Sequence, residues 1–389
     1  MPKSDGMEEF VYLIGKISCF DFSYAVWIIF LGAATLQIIY YLIFYLPFLL
    51  SKKAGKEPSS YPPVSVIVCA RNEERNLRRY LPRILEQDYP SFEVVVVNDG
   101  SEDNTEYVLK KFAARYPHLK VTFLRNDPKF PHGKKLAVTV GIKSASHEHL
   151  LLTDADCFPS SNQWLKKMVS GFTERKDIVL GYGAYMPFKG WLNKIIRFDT
   201  LWIALQYFSF ALRGIPYMGV GRNLAYRKSL FFQHKGFASH SAIESGDDDL
   251  FVNQAATSGN TTIVVDPGAS TVSRPKLSWK DWTYQKRRHL TSSSHYKIFH
   301  KLLLSCEPLS RILFYFSFVT LLFVPSYRIH ALIGFGAREL FFLITIILAQ
   351  HTFNEKKLFF VAHVLDILMP FFYFYWLVMN KISPYKRWK

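Results

Sequence analysis

An uncharged apolar stretch near the start of the chain sets the first constraint on its fold. Ser23–Leu50 contains no charged side chain and exceeds the roughly 20 residues that an α-helix needs to cross a bilayer. The stretch is too long for a cleaved signal peptide, so it predicts a transmembrane helix after an N-terminal segment, 1–22. Lys52, Lys53 and Lys56 follow at once, which places the next part of the chain in the cytoplasm by the positive-inside rule.

Positive charge exceeds negative charge across the chain. The 389 residues include 48 Lys+Arg and 31 Asp+Glu, a net charge of +17, which suits an anionic membrane surface or phosphorylated ligands. No zinc spacing, recognition helix or aromatic RNA-binding motif is present, so we expect no nucleic-acid partner. The four cysteines are scattered and predict neither a disulfide framework nor a metal site.

Buried-strand patterns alternate with helical patterns after a linker over 51–63. Val64–Cys69 is the first such strand, and a helical pattern follows each strand in turn. Further strands are predicted at Phe92–Val97, Val121–Leu124, Leu150–Thr153 and Thr261–Val265. This alternation predicts an α/β fold with a Rossmann-like parallel sheet. No Gly-x-Gly-x-x-Gly follows the first strand, which counts against a dinucleotide cofactor.

Two aspartates follow the fourth predicted strand. Asp154 and Asp156 flank Ala155 at its carboxyl end, where ligands bind in open α/β sheets. Side chains two residues apart point to the same side of an extended chain. One carboxylate can therefore hold a divalent cation while the other steadies a ligand hydroxyl or the water around the ion. The expected ion is Mg²⁺ or Mn²⁺, and a simple strand-end turn is the competing interpretation.

Long apolar segments return in the second half of the chain. Trp191–Arg213 is apolar and aromatic but contains Lys194, Arg197 and Asp199, and it predicts either an amphipathic helix at the membrane interface or a core helix. The C-terminal membrane region, 301–389, has two or three hydrophobic helices, with candidates at Leu309–Tyr327, Ala331–Gln350 and Leu358–Met379. Arg338 and Glu339 make the middle candidate re-entrant or protein-facing. Three crossings would put the basic tail outside, whereas two crossings and a surface segment would put it inside.

Six short motifs occur in order along the α/β region. They are A-R-N-E at 70–73, N-D-G-S-x-D-x-T at 98–105, G-K at 133–134, D-A-D at 154–156, G-D-D-D-L at 246–250 and Q-x-x-R-H at 285–289. Over about 62–300 the chain resembles the inverting family 2 glycosyltransferases, in their membrane-anchored bacterial polysaccharide and glycolipid branch. The resemblance implies a GT-A nucleotide-sugar domain over 64–300, facing the cytoplasm in a multi-pass protein of the inner membrane.

The resemblance also implies a reaction and a donor site. A sugar would pass from a nucleotide-sugar, expected to be a UDP-sugar, to a lipid-linked or polysaccharide acceptor. Asp154 and Asp156 would hold the metal, Lys134 would neutralise phosphate, and Glu73 and Asp99 would contact the uridine. The full implied donor-binding set is Arg71, Glu73, Asp99, Lys134, Asp154, Gln285, Arg288 and His289.

The acid cluster supplies the candidate catalytic base. Counting back from Leu250 along the family's E-D-x-x-L element places the base at Asp247, with Gly246 where Glu is usual. Counting by the E-D pair places it at Asp248 instead. The base would deprotonate an acceptor hydroxyl as that hydroxyl attacks the anomeric carbon, which inverts the configuration. The implied acceptor-binding residues are Gly221, Arg222 and Asn223.

Two rival functions stay open at this point. His289 stands where the family has Trp, which offers a smaller stacking surface and weakens the alternative of a processive polysaccharide synthase. An inactive, nucleotide-binding membrane scaffold would not need a catalytic base, and every acidic motif is present.

Overall fold

The computed structural model describes residues 5–51, 60–125 and 133–383, which contain thirteen α-helices and ten strands. The predicted basic residues Lys52, Lys53 and Lys56 and the tail beyond Ser383 lie outside the described residues.

The strands are β1 Val64–Ala70, β2 Phe92–Asp99, β3 Leu119–Leu124, β4 His149–Asp154, β5 Cys157–Pro159, β6 Ile178–Leu180, β7 Gly183–Tyr185, β8 Leu224–Arg227, β9 Thr261–Ile263 and β10 Thr271–Ser273. The helices are α1 Asp5–Tyr40, α2 Leu46–Leu50, α3 Glu74–Leu85, α4 Thr105–Arg115, α5 Lys134–Ser144, α6 Trp164–Val169, α7 Trp191–Leu212, α8 Lys228–Gln233, α9 Asp249–Ala255, α10 Trp279–Ser293, α11 Ile298–Leu322, α12 Pro325–Thr352 and α13 Phe359–Ile382. A π-helical turn, Tyr41–Tyr45, joins α1 to α2.

A seven-stranded mixed sheet forms the centre of the α/β part, in the order β3-β2-β1-β4-β8-β6-β9. The first four strands are parallel neighbours, which confirms the predicted Rossmann-like arrangement. β8 runs antiparallel to both β4 and β6, which the sequence did not predict. It begins opposite Leu152, near the carboxyl end of β4, so the loop before β8 lies at the ligand-binding edge of the sheet. A smaller sheet has the order β5-β10-β7.

Alternate residues of the central strands pack into two cores. Val64, Val66 and Val68 of β1 face α3, α4 and α6, while Ile67 of the same strand faces α5. Gly141 lets α5 approach the sheet closely, because a Cβ atom there would lie 2.7 Å from Cγ2 of Ile67. Each buried valine contributes about 1.5–3 kcal/mol, which fixes the strand ends that carry the acidic residues.

Helix α7 joins the sheet to the long apolar helices. The Tyr207 hydroxyl donates to the Gly181 carbonyl at 2.8 Å, and Phe208 stacks between Phe48 and Phe353. Most of α7 is buried, as expected of the core-helix alternative that the sequence left open. The sheet and the apolar helices therefore share one continuous hydrophobic core.

Five helical segments within the described residues are long and apolar enough to cross a membrane. They are Phe22–Leu50, Trp191–Leu212, Ile298–Leu322, Pro325–Thr352 and Phe359–Ile382. Helix α11 begins well before Leu309 and ends before Tyr327, so the predicted bounds of that segment were wrong. Its first turns carry His300 and Glu307, which are buried against protein, so their polarity does not interrupt the helix.

A network of buried charges links the apolar helices. Arg338 of α12 is fully buried, with Nη2 at 2.6 Å from Asp366 Oδ2 and Nη1 at 2.7 Å from Glu339 Oε1. Asp366 of α13 also pairs with Arg311, which in turn binds Glu307. Helix α12 runs unbroken from Pro325 to Thr352 and Arg338 faces protein, which agrees with the protein-facing alternative.

Replacing Asp366 with Asn should destabilise the fold, because it leaves Arg338 and Arg311 buried without a shared counter-ion. We expect the free energy of unfolding in detergent micelles to fall by about 3–5 kcal/mol. Glu106→Gln is the matched control, since Glu106 pairs with Lys110 on an exposed helix surface, where such a pair contributes about 1 kcal/mol or less. Equal effects of the two variants would contradict this account.

Candidate active site

The carboxyl ends of three neighbouring parallel strands bring the predicted acids together. Asp99 ends β2 and Asp154 ends β4, and the two strands flank β1. In register, Ala70 of β1 pairs with Asn98, and Cys69 pairs with Asp154. Parallel strands align their carboxyl ends at one edge, so this cleft is where an α/β sheet binds a ligand.

The loops after β1 and β2 are joined by side-chain hydrogen bonds. The Asn72 amide donates to Ser101 Oγ at 2.9 Å, and the Glu73 amide donates to Thr105 Oγ1 at 2.9 Å. Asn72 has a φ of 55°, a left-handed conformation that asparagine tolerates. Burial raises the pKa of Glu73 to about 7, with Asp156 adding to the effect. The predicted donor residue Glu73 therefore lies close to the metal-site candidates.

Asp154 and Asp156 form a pair of hard oxygen donors that fits a divalent cation. Ligand atoms of Asp154, Asp156 and Cys157 lie within 4.8 Å of one another. Burial raises the pKa of the Cys157 thiol well above its usual value, and its Sγ lies 2.9 Å from Ser273 Oγ. Burial and then Asp154 raise the pKa of Asp156, so the two carboxylates concentrate negative charge. Two such oxygens suit Mg²⁺ or Mn²⁺.

Lys134, the first residue of α5, bridges two acids that are distant in sequence. Its Nζ lies 2.9 Å from Asp154 Oδ1 and 3.0 Å from Asp247 Oδ2. Burial opposes the ammonium charge, but these carboxylates outweigh it and raise the pKa of Lys134 well above its usual value. Burial likewise opposes the Asp154 charge, yet Lys134, Arg222 and Arg288 lower the pKa of that carboxyl. One cation thus holds the metal-site strand next to the candidate base.

The three acids before and at the start of α9 differ in their partners. Asp248 Oδ2 accepts from the Gly221 amide at 2.6 Å and its Oδ1 accepts from the Asp249 amide at 2.8 Å. Asp249 accepts from the Tyr296 hydroxyl at 2.7 Å and from the Ser292 hydroxyl, which ties α9 to the end of α10. Asp247 instead makes its ion pair with Lys134, at the edge of the cleft.

Gly246 explains why this element departs from the family pattern. Its φ is +97°, a conformation that side chains rarely adopt, and a Cβ there would lie 2.4 Å from Leu250 Cδ1. A glutamate at this position would have a strained backbone and its Cβ would clash with Leu250. The glycine turns the chain sharply just before Asp247.

The three predicted acceptor residues have different surroundings. Gly221 lies against Asp248, and the Arg222 guanidinium covers the Tyr185 ring at 4.3 Å. Asn223 is fully buried, accepting from Trp164 Nε1 at 2.9 Å and donating to the carbonyls of Tyr182 and Ala269. Its side-chain amide is occupied by these interior partners, and its acceptor-binding role stays a prediction. The roles of Gly221 and Arg222 stay predictions.

Helix α10 brings the Q-x-x-R-H residues to the cleft. Gln285 Nε2 donates to the Tyr185 hydroxyl at 3.2 Å, next to Arg222. Arg288 is near enough to lower the pKa of Asp154, and Arg288 Nη2 lies 3.5 Å from His289 Nε2. The donor-binding roles of Arg71, Asp99, Gln285, Arg288 and His289 stay predictions.

Several supporting residues were missed from the sequence. Ser101 and Thr105 join the loops after β1 and β2, and Tyr185 contacts both Arg222 and Gln285. Ser292 and Tyr296 hold Asp249. Only Ser101 and Thr105 had a sequence signal, since they belong to the N-D-G-S-x-D-x-T motif, whereas the other three become relevant only through tertiary contact.

Comparison with known proteins agrees with this geometry. Residues 65–232 match the family described as Glycosyl transferase family 2. The chain carries a family 2 glycosyltransferase domain. The matched range includes both loops at the strand ends, Lys134 and the Asp154–Asp156 pair, and it stops before the acid cluster at 246–250.

Similar proteins share only part of their length with this chain. Glycosyltransferase AglE of Haloferax volcanii is 36% identical over 114 residues, 29% of this chain and 36% of that protein. "Probable glycosyltransferase YdaM" of Bacillus subtilis is 27% identical over 237 residues, 58% of this chain and 54% of that protein. Poly-beta-1,6-N-acetyl-D-glucosamine synthase of Staphylococcus epidermidis is 31% identical over 120 residues, 31% of this chain and 28% of that protein. The chain thus matches about a quarter to about half of these relatives' lengths.

A solved structure shares the fold over most of its length. Mannosyltransferase PcManGT from Pyrobaculum calidifontis, in complex with GDP-Man and Mn²⁺, superposes with a TM-score of 0.57 at 20% identity. The superposition covers 89% of this chain and 97% of that protein. The likeness confirms the predicted Rossmann-like GT-A architecture.

The raised pKa of Asp248 predicts a pH-dependent stability. Burial, then Asp247 and Asp249, raise this pKa to about 7. Because the folded-state pKa exceeds the unfolded one, the contribution of protonated Asp248 to the free energy of unfolding is complete below about pH 4. This contribution is lost as pH rises through 7, by up to about 4 kcal/mol. We expect wild type to lose stability relative to Asp248→Asn between pH 5 and pH 8 in chemical unfolding. A difference that does not change with pH would contradict this assignment.

Proposed function

We propose that the protein is a membrane-associated, metal-dependent inverting glycosyltransferase that uses a nucleotide-sugar, expected to be a UDP-sugar. The observation that carries the proposal is the Lys134 bridge, which brings a metal-binding carboxylate and a candidate base to one cleft. Two acids that share one lysine at the carboxyl edge of an α/β sheet suit a reaction that needs charge neutralisation and proton removal together.

The donor side of the cleft carries the charges that a sugar nucleotide needs. Asp154 and Asp156 would hold Mg²⁺ or Mn²⁺, which supplies Lewis-acid stabilisation of the departing diphosphate. Arg288 acts electrostatically on Asp154, which supports a role for its guanidinium group in binding phosphate oxygens. Glu73 and Asp99, at the ends of β1 and β2, would contact the nucleoside.

Asp247 is the residue that we assign as base. Its carboxylate takes the proton of an acceptor hydroxyl while the hydroxyl oxygen bonds to the anomeric carbon from the face opposite the nucleotide. The bond from that carbon to the diphosphate oxygen breaks, its electron pair stays on the diphosphate, and the configuration inverts. Asp248 suits this role less well, because both of its carboxylate oxygens already accept hydrogen bonds from backbone amides.

The acceptor is proposed to be lipid-linked or polysaccharide, reached at the membrane surface with the catalytic domain in the cytoplasm of an inner-membrane protein. Long apolar helices and the net charge of +17 support a location against anionic lipid. Processive synthesis is the second candidate, favoured by the likeness to poly-beta-1,6-N-acetyl-D-glucosamine synthase. His289 favours single or short additions, and product length on a gel distinguishes the two.

Replacing Asp247 with Asn should remove the base and leave donor binding intact. We expect sugar transfer to fall by about 10²–10⁴-fold, with donor affinity measured by calorimetry close to wild type. Asp248→Asn should cost less, and Asp88→Asn, at an exposed pair with Lys166, should have no effect on turnover. Wild-type transfer by Asp247→Asn, or a larger loss in Asp248→Asn, would move the base elsewhere.

Replacing Asp156 with Ala should remove the ion and donor binding together. In a thermal-shift screen of nucleotide sugars with Mn²⁺, we expect wild type to be stabilised by one donor class only when the ion is present. The Asp156→Ala variant should lose the ion-dependent part of that shift. An undiminished shift in the variant would contradict the metal assignment, and the stabilising nucleotide would identify the donor.

A further inference from the structure

Helix α13 has both of its ends against the catalytic domain. The turn before it is held there by Glu355, which pairs with Arg197 of α7 and accepts from the Tyr182 hydroxyl at 3.1 Å. The last turn of α13 is held by Arg287 of α10, whose Nε donates to Asn380 Oδ1 at 2.9 Å. A helix that crossed a bilayer from this start would end about 36 Å away, at 1.5 Å per residue, on the opposite side.

The partners of α13 change along its length. Asp366, in its second turn, contacts Arg311 and Arg338 at the middle of α11 and α12. Beyond that level its contacts pass to the catalytic domain. Tyr373 donates to Asp199 of α7, and Trp376 packs edge-on against Trp282 of α10 at 5.0 Å. The C-terminal half of α13 therefore packs against the catalytic domain and does not run outward along α12.

The outer halves of α1, α11 and α12 pack against one another without α13. Phe30 of α1 stacks on Phe314 of α11 at 5.1 Å, and Trp27 stacks on Tyr327 of α12 at 5.5 Å. Among the residues whose side chains are described, the cluster formed there contains no member of α13. The buried residues of α13 instead belong to the core shared with the sheet and α7.

The outward face of α13 is apolar along its whole length. Its exposed large hydrophobic residues are Phe360, Val364, Ile367, Leu368, Phe371, Phe374, Tyr375, Leu377 and Ile382. They recur at helical spacing opposite the buried face that carries Leu365 and Met369. Helices α11 and α12, which are long and apolar enough to span a bilayer, also expose large hydrophobic side chains.

We propose that α13 lies in the plane of the membrane surface, with its apolar strip in the boundary between lipid headgroups and acyl chains. The membrane would then be crossed by α1, α11 and α12. The length and hydropathy of α13 would also allow a crossing, but the contacts at the two ends of α13 select the in-plane arrangement. Of these crossings, only those of α11 and α12 follow the catalytic domain, so the C-terminus lies on the same side as that domain.

Charge supports this topology. Lys381, Lys386, Arg387 and Lys389 lie at or beyond the end of α13 in the sequence. An in-plane α13 places them on the catalytic side, together with Lys52, Lys53 and Lys56, in agreement with the positive-inside rule. The alternative of a crossing α13 places the basic tail on the other side.

An in-plane α13 also connects lipid to the donor site. Arg287 lies next to Arg288 on α10, and Lys286 Nζ binds both Asp199 Oδ2 at 2.6 Å and the Tyr373 hydroxyl at 3.0 Å. The helix that presents Gln285 and Arg288 to the cleft is therefore clamped on its opposite face by a helix resting on lipid.

Depth measurements on two matched helices test the proposal. Phe360, Ile367 and Phe374 lie on one face of α13 at seven-residue intervals, and Leu309, Phe316 and Phe323 lie likewise along α11 and its C-terminal cap. Each is replaced singly by Cys, in a full-length background with Cys19, Cys69 and Cys306 changed to Ser. The variants carry a nitroxide label in phosphatidylethanolamine–phosphatidylglycerol vesicles, and oxygen and nickel-chelate accessibility report the depth of each label.

We expect equal, shallow depths for the three α13 labels and depths that change by about 20 Å across the α11 set, since fourteen residues rise about 21 Å. A graded series on α13 that matches α11 would overturn the proposal. As a second measurement, a reporter fused after Lys389 should lie on the catalytic side and one inserted at Val324 on the opposite side. A C-terminal reporter on the opposite side would also overturn it. Neither readout depends on sugar transfer, so failure of the proposed function leaves this result unaffected.

Discussion

The contact of one ammonium group with two carboxylates organises the catalytic half of the protein. Lys134 begins α5, Asp154 ends β4 and Asp247 precedes α9, so three elements meet at a single charge. Removing the lysine would leave two partly buried carboxylates facing each other, and such charges are costly without a partner. The bridge therefore sets the distance between the metal side and the base side of the cleft before any ligand arrives.

The long apolar helices and the α/β domain are held together by the apolar contacts of α7. Trp202 of α7 packs edge-on against Tyr45 and lies under the Arg311 guanidinium at 4.9 Å, while Tyr207 reaches the sheet through Gly181. A hinge needs an interface that opens at low cost, and a continuous aromatic core does not provide one. The position of the cleft relative to the long apolar helices is thus fixed by the same packing that stabilises the fold.

The sequence predicted the parts of the structure that depend on local pattern. Valine-rich strands, helical spacing and acids at strand ends identified β1 to β4 and the Asp154–Asp156 pair. Long-range contact decided the rest. The sequence around Asn223 does not show that its side-chain amide forms hydrogen bonds with Trp164 and two backbone carbonyls. Hydropathy likewise identified α13 but cannot say whether it crosses a membrane, because an in-plane helix with one protein-covered face can be as apolar as a crossing one.

Buried charges occur in two clusters in this chain. The clusters differ in how far protein groups of opposite charge neutralise them. In the apolar helices, Arg311 and Arg338 share Asp366, and Glu307 and Glu339 complete the set within the protein. In the cleft, Lys134 pairs with Asp154, whereas burial and Asp154 raise the pKa of Asp156, so the two carboxylates are only partly balanced by protein cations. A partly balanced acidic pair at a strand end favours a bound cation, whereas a balanced network only fixes helix positions. The cluster in the cleft is therefore suited to binding a ligand, whereas the cluster among the apolar helices fixes their positions.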